Sequence, residues 1–193
     1  MPLLAPEPFV CPEGLFAPGW APSADEDRWW VLHTRARAEK SVARAALRHG
    51  IAFFLPLHER RWRNKGRTFT SCLPLFPGYL FIHGGDDARQ HLLDTNLVAN
   101  TLHVADQNRL QSDLTRVHDL MTAGITLTPE QGLTPGDHIE IVEGPMRGFE
   151  GKVARRGKHL KLLVEVEFIR CGVSVEIESW MVRPLPVREP SDS

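Results

Sequence analysis

Tyrosine occurs once in this 193-residue chain and cysteine three times. Cys11, Cys72 and Cys171 are far apart and odd in number, and no Cys-x-x-Cys pair occurs. Neither a disulfide framework nor a zinc site is indicated, and a reducing, cytoplasmic setting is expected. No apolar run reaches the length that spans a bilayer, so no membrane partner is expected. No Lys or Arg precedes Arg28, and Pro2, Pro6, Pro8, Pro12, Pro18 and Pro22 interrupt the start. A secretory signal needs a charged start and an unbroken apolar stretch, so residues 1–27 read as a flexible Pro-rich N-terminal extension. Catalytic patterns are missing as well. The nine histidines are scattered without an H-E-x-x-H pair, and neither a G-x-S-x-G elbow nor a Gly-rich phosphate cradle occurs. No enzyme, cofactor or metal is expected.

The aromatics that are present concentrate in Leu75-Phe76-Pro77-Gly78-Tyr79-Leu80-Phe81-Ile82. After the Pro77-Gly78 kink the segment reads as a strand, whose side chains alternate between two faces. Leu80 and Ile82 point one way and suit a core. Tyr79 and Phe81 point the other way and form a candidate docking surface. A strand buried on both faces fits the same pattern. Farther on, Ile139 and Ile141 alternate with polar residues, followed by the turn signal Gly144-Pro145 and then Gly148-Phe149-Glu150-Gly151. Leu160, Leu162, Val164, Val166 and Phe168, and then Val173, Val175 and Ile177, alternate as half-buried strands.

The net charge of -1 is unevenly spread. From Arg35 to Arg67 there are ten Lys or Arg residues and two acids, Glu39 and Glu59. Such a patch suits phosphates, and equally suits a merely solvated face. The pattern predicts a helix capped by Thr34 and ending near Gly50, with Arg37, Lys40, Arg44 and Arg48 in one stripe. Val42, Ala45 and Ala46 lie on its opposite, core-facing side. Arg60, Arg61, Arg63, Lys65 and Arg67 surround a hairpin turn at residues 64–66. Trp62 among them could stack on a base or pack under the hairpin.

Strands are predicted at residues 29–33, 52–63, 68–82 and 101–105, with helices at 87–94 and 112–121. The order implies an α+β fold with a split βαβ antiparallel sheet and helices on one face. The region from Gly136 through Gly144, Pro145, Gly148, Phe149 and Gly151 resembles a KOW motif, the opening of a small five-stranded SH3-like β-barrel. An aromatic L-F-P-G-Y-L-F segment followed by a KOW motif resembles the NusG family of transcription factors, over roughly residues 28–185. The implied division is an extension at 1–27, an NGN-like domain at 28–124, a linker at 125–132, a KOW barrel at 133–186 and a tail at 187–193.

The resemblance implies a monomeric, non-enzymatic elongation or antitermination factor. Its N-terminal domain would sit on the clamp helices of RNA polymerase through Phe76, Tyr79 and Phe81. Arg35, Arg37, Lys40 and Arg44 would face the non-template DNA. Phe168 and Ile169 would hold a ribosomal small-subunit protein or a termination factor; Ile169 breaks the alternation and reads as the exposed docking side chain, with folding back against the neighbouring strand as the alternative. Within the family the motif looks closer to specialised RfaH- and UpxY-type paralogues than to the housekeeping factor. His33 stands where RfaH has a tyrosine, and Arg89-Gln90-His91-Leu92-Leu93 replaces its His-Thr-Thr element. A housekeeping elongation or termination factor and a ribosome-associated, RNA-binding KOW protein are the alternatives.

Overall fold

Residues 28–34 and 79–84 each carry four consecutive apolar or aromatic side chains, as strands covered on both faces do, and they pair as neighbouring strands of one sheet around which the rest of the first unit is built. The computed structural model describes residues 8–20, 24, 26–64, 66–131, 138–156, 159–177 and 181–185. The chain divides into two compact units, residues 1–111 and 112–193. The first runs β1 (Val10–Cys11), β2 (Arg28–Thr34), α1 (Glu39–Arg48), β3 (Ala52–Phe54), β4 (Leu57–Asn64), β5 (Arg67–Pro74), β6 (Tyr79–Gly84), α2 (Asp86–Leu93) and β7 (Val98–Leu102). A third helix, α3 (Gln107–Thr122), crosses the division in the sequence.

Five strands form an antiparallel sheet in the order β1-β3-β6-β2-β7. The register aligns Phe53, Ile82 and Trp30, and beside them Leu80 and Leu32, on one face. Those side chains form the main core with Val42, Ala43, Ala45 and Ala46 of α1 and Leu92 of α2. Three alanines on the buried stripe of α1 let the helix approach the sheet closely, as its i, i+3, i+4 spacing requires. The other face carries Trp29, Val31, Phe54 and Phe81, with Tyr79 and His83 in the same alternation. α3 begins against this side: Gln107 Oε1 accepts from the Trp29 backbone N–H at 2.7 Å, and the Trp29 indole donates to Gln111.

Local geometry departs from the predicted elements: the strand expected at 101–105 runs Val98–Leu102, the helix expected at 112–121 starts at Gln107, and the larger differences lie at the start of α1 and in the two long strands. Thr34 does not cap a helix; it ends β2, is buried, and its Oγ1 has no hydrogen-bond partner. The Arg35 N–H donates to Leu97 O at 2.8 Å and the Ala38 N–H to Arg35 O at 3.0 Å. That turn, with Arg37 at φ 61°, delays the helix to Glu39 and leaves Arg37 outside it. Residues 52–63 and 68–82 are not continuous strands. Pro56, without an N–H, ends the ladder after β3, and residues 75–78 interrupt the other strand, with the Leu75 N–H donating to Pro56 O at 2.8 Å. The outer pieces, β4 and β5, pair with each other as a separate two-stranded ribbon.

In the second unit β8 (Thr128–Gln131), β9 (His138–Ile141), β10 (Glu150–Arg156), β11 (His159–Val166), β12 (Cys171–Ile177) and β13 (Val182–Pro184) form an antiparallel sheet. The order is β13-β9-β10-β11-β12-β8, so the last strand returns beside the first of the meander. Ile139, Ile141, Leu162, Val164, Val166, Val173, Val175 and Ile177 are buried. Among the described residues the unit has six strands where five are predicted, because β8 lies in the residues expected as a linker and pairs with β12. Gly136 and the tail at 187–193 lie outside the described residues.

Candidate functional site

The Pro77-Gly78 turn is clamped between the end of β2 and the start of α1. Gly78 has φ 84°, a left-handed conformation open to glycine at little cost. Its N–H donates to Glu39 Oε1 at 2.7 Å, and its carbonyl accepts from the Thr34 N–H at 2.8 Å. Glu39, the buried first residue of α1, thus fixes the turn that delivers Tyr79. Sequence reasoning missed this role; an acid in the first helical turn, next to the L-F-P-G turn in space alone, is a weak signal. The Tyr79 ring is half-buried and lies 5.4 Å from the exposed His33 imidazole.

Phe76 and Phe81 are not exposed docking residues. They are 1% and 0% exposed. Phe76 meets Phe81 edge-on at 5.9 Å, Phe81 lies 6.5 Å from Phe54, Phe54 meets Phe16 edge-on at 4.9 Å, and Phe16 stacks on Trp29 at 5.9 Å. This aromatic layer is continued by residues 9–20 of the Pro-rich segment. β1 pairs with β3 at the sheet edge, the Leu55 N–H donates to Phe9 O at 2.6 Å, and Leu15 is fully buried. Trp20 and Trp29 each meet the His83 ring edge-on, at 4.9 and 5.2 Å. Burial holds the His83 pKa below the ordinary histidine value, against the opposing pull of Asp27.

Arg35 and Arg37 are exposed between β2 and α1, Lys40 is half-buried, and Arg44 is exposed one turn along. Lys40 and Arg44 are at helical spacing in α1, and Arg35 and Arg37 lie on the turn that precedes it. Arg60, Arg61, Arg63 and Arg67 of the second basic cluster lie on the separate β4–β5 ribbon, and Lys65 lies outside the described residues.

In the second unit, Gly144 and Gly148 both have φ 87°, Pro145 is exposed and Phe149 half-buried. The Gly148 N–H donates to Ile141 O at 2.7 Å and the Ile141 N–H to Phe149 O at 2.8 Å, closing the glycine loop onto β9. Gly151 sits where a Cβ would lie 2.7 Å from both Leu162 Cδ1 and Leu163 O. Ile169 is not the exposed docking side chain: it is 8% exposed and Phe168 is 37% exposed. Residues Glu167–Ile169 form a 3-10 turn, whose rotation of a third of a turn per residue replaces strand alternation and swaps the two side chains.

Among the described residues, no group of three or more His, Cys, Asp or Glu side chains could hold a metal ion, and no helix is long and apolar enough to cross a membrane. The family model for the transcription termination factor NusG matches residues 27–119. Among solved structures, the chain is similar to NusG of Thermotoga maritima, described for its domain interaction, with 20% identity over 83% of this chain and 98% of that one and a TM-score of 0.47. It is also similar to a chain of the MjSpt4:Spt5 complex, with 16% identity over 83% of this chain and 99% of that one and a TM-score of 0.25. No curated protein sequence matches it.

Proposed function

Residues 27–119 make the chain a member of the NusG family of transcription factors, and from that premise we propose that it is a specialised elongation and antitermination factor. It works in the cytoplasm as a monomer, binds the clamp helices of RNA polymerase through its NGN-like domain (residues 28–124), and makes or breaks no covalent bond. The observation that supports this most is the clamped Pro-Gly turn, which holds Tyr79 beside the exposed His33 at the rim of the aromatic face. The accessible contact begins at Tyr79 and His33. Phe76 and Phe81 support it from below, and they join the interface only when residues 9–20 leave the sheet.

Arg35, Arg37, Lys40 and Arg44 face the phosphates of the non-template DNA, where several cations in sequence give affinity without base identity. The KOW domain (residues 133–186) recruits a ribosomal small-subunit protein or a termination factor, with Phe168 as its exposed apolar anchor. The mechanism is differential binding: the factor favours the pause-resistant polymerase by binding that form more tightly. The family's description as a termination factor favours a second reading, in which the same contacts promote termination.

Single-round transcription through a pause and a terminator tests both. Shorter pauses and more read-through with the full chain, lost with the Tyr79→Ala variant, support antitermination. More terminated product supports the second reading. No effect on either, together with no polymerase pull-down, sinks the proposal.

A further inference from the structure

Among the described residues, β4 and β5 pair with each other alone, and every position of residues 60–63 and 67–70 is exposed. A two-stranded ribbon by itself is marginal in water, and polar side chains are expected along it. Trp62 and Phe69 break that expectation. The register places them opposite each other, and their rings stack with centroids 5.7 Å apart and planes 18° apart. Each remains 43% exposed, so the pair covers itself only in part.

Alternation fixes what shares their face. Two positions along β4 in one direction is Arg60, opposite Ser71, and two positions along β5 in the other is Arg67, opposite Asn64. The rings therefore lie between two arginines along the ribbon. The ribbon's one acid, Glu59, belongs to the opposite face, where its carboxylate pairs with Arg61 at 3.1 Å. The aromatic face thus combines π surfaces and positive charge with no acidic residue.

We propose that this face of the β4–β5 ribbon binds single-stranded nucleic acid, with unpaired bases stacking on Trp62 and Phe69 and phosphates pairing with Arg60 and Arg67. An apolar protein partner would have to desolvate the two flanking arginines, and an acidic peptide would leave the rings unused. A duplex keeps its base faces stacked on each other, so it cannot use an aromatic platform. Its major groove does admit a two-stranded ribbon, which makes duplex DNA the competing occupant. The inference goes beyond the polymerase contact and stands without it.

Fluorescence anisotropy of the full chain with a labelled oligothymidylate of about twelve nucleotides, a length within the range one such surface covers, tests it. Binding tighter than to a duplex of equal length is expected. The Trp62→Ala, Phe69→Ala variant is expected to weaken it about tenfold or more, whereas Trp62→Tyr, Phe69→Tyr stays within about threefold, since tyrosine keeps a stacking ring. Arg60→Gln, Arg67→Gln is expected to reduce the slope of log affinity on log salt by about 1.4, two single-strand phosphate contacts. Polymerase pull-down with these variants is expected to match the parent, which separates a failure here from one of the polymerase contact. Unchanged affinity in a folded alanine variant, tighter binding to the duplex, or no binding at low salt overturns the proposal. Should the alanine pair unfold the ribbon, the arginine pair decides: a salt slope equal to the parent's overturns it.

Discussion

Gly78 carries more of the candidate site than its size suggests, since its backbone ties β2, α1 and Tyr79 together. At φ 84° an alanine pays the left-handed penalty of about 1–2 kcal/mol, and its Cβ would lie 3.4 Å from His33 Nε2. Gly78→Ala is expected to lower the unfolding free energy obtained from urea titration by that amount, seen as a lower midpoint at unchanged slope; an unchanged midpoint would show that the turn relaxes freely. Gly151 differs in kind, because what a Cβ meets there includes a backbone oxygen that cannot swing aside. Gly151→Ala is expected to cost about 1–3 kcal/mol by overpacking β10 against β11. Both glycines were legible as turn or close-approach residues, but not the neighbour each one faces, because Glu39, His33 and Leu162 come from other elements. His83 gives a third test at this scale. Its folded pKa is depressed, so the unfolded chain takes up a proton first as pH falls below the ordinary value, and stability declines with acidification. Thermal midpoints measured from pH 7 to pH 5 are expected to fall less in His83→Gln than in the parent; equal declines would remove His83 as a cause.

The strands and helices show how far alternation carries. Period two assigned Leu80 and Ile82 to one face and Tyr79 and Phe81 to the other, and the register of β6 against β2 has that arrangement. What covers the second face was not legible, because it comes from a segment whose prolines conceal two apolar anchors, Leu15 and Phe16. The same limit applies at Glu167–Ile169, where a 3-10 turn ends the alternation and exchanges Phe168 for Ile169. Removing residues 1–20 tests the cover directly. It deletes the β1–β3 pairing and the buried Leu15, whose loss alone costs about 1.5–3 kcal/mol, and it uncovers Phe54 and Trp29. The truncated chain is expected to melt at lower temperature, to bind more of a hydrophobic dye, and to bring down more polymerase than the parent. Pull-down weaker than the parent's from a folded truncation would mean that residues 9–20 belong to the polymerase contact itself.

For the molecule as a whole, the order of elements in the sequence revealed an α+β chain with a split βαβ sheet, and the period-two alternation of residues 160–177 revealed the strands of the second unit. Neither revealed β8, since Thr128-Pro129-Glu130-Gln131 has the polar, proline-containing look of a linker and is held as a strand by β12 alone. Two compact units with separate cores give the proposed bridge a sharp consequence. Substitutions at sites that share no partner act additively. Tyr79→Ala, in the first unit, is expected to weaken polymerase binding by about 1–3 kcal/mol while leaving the second partner bound. Phe168→Glu, at an exposed position of the second unit, is expected to leave folding and polymerase binding intact and to abolish capture of the ribosomal protein or termination factor. Combining the two is expected to give the sum of the separate losses in a double-mutant cycle. A coupling larger than about 0.5 kcal/mol between them would show that the two contacts are one cooperative surface, and a bridge made of independent ends would no longer describe the protein.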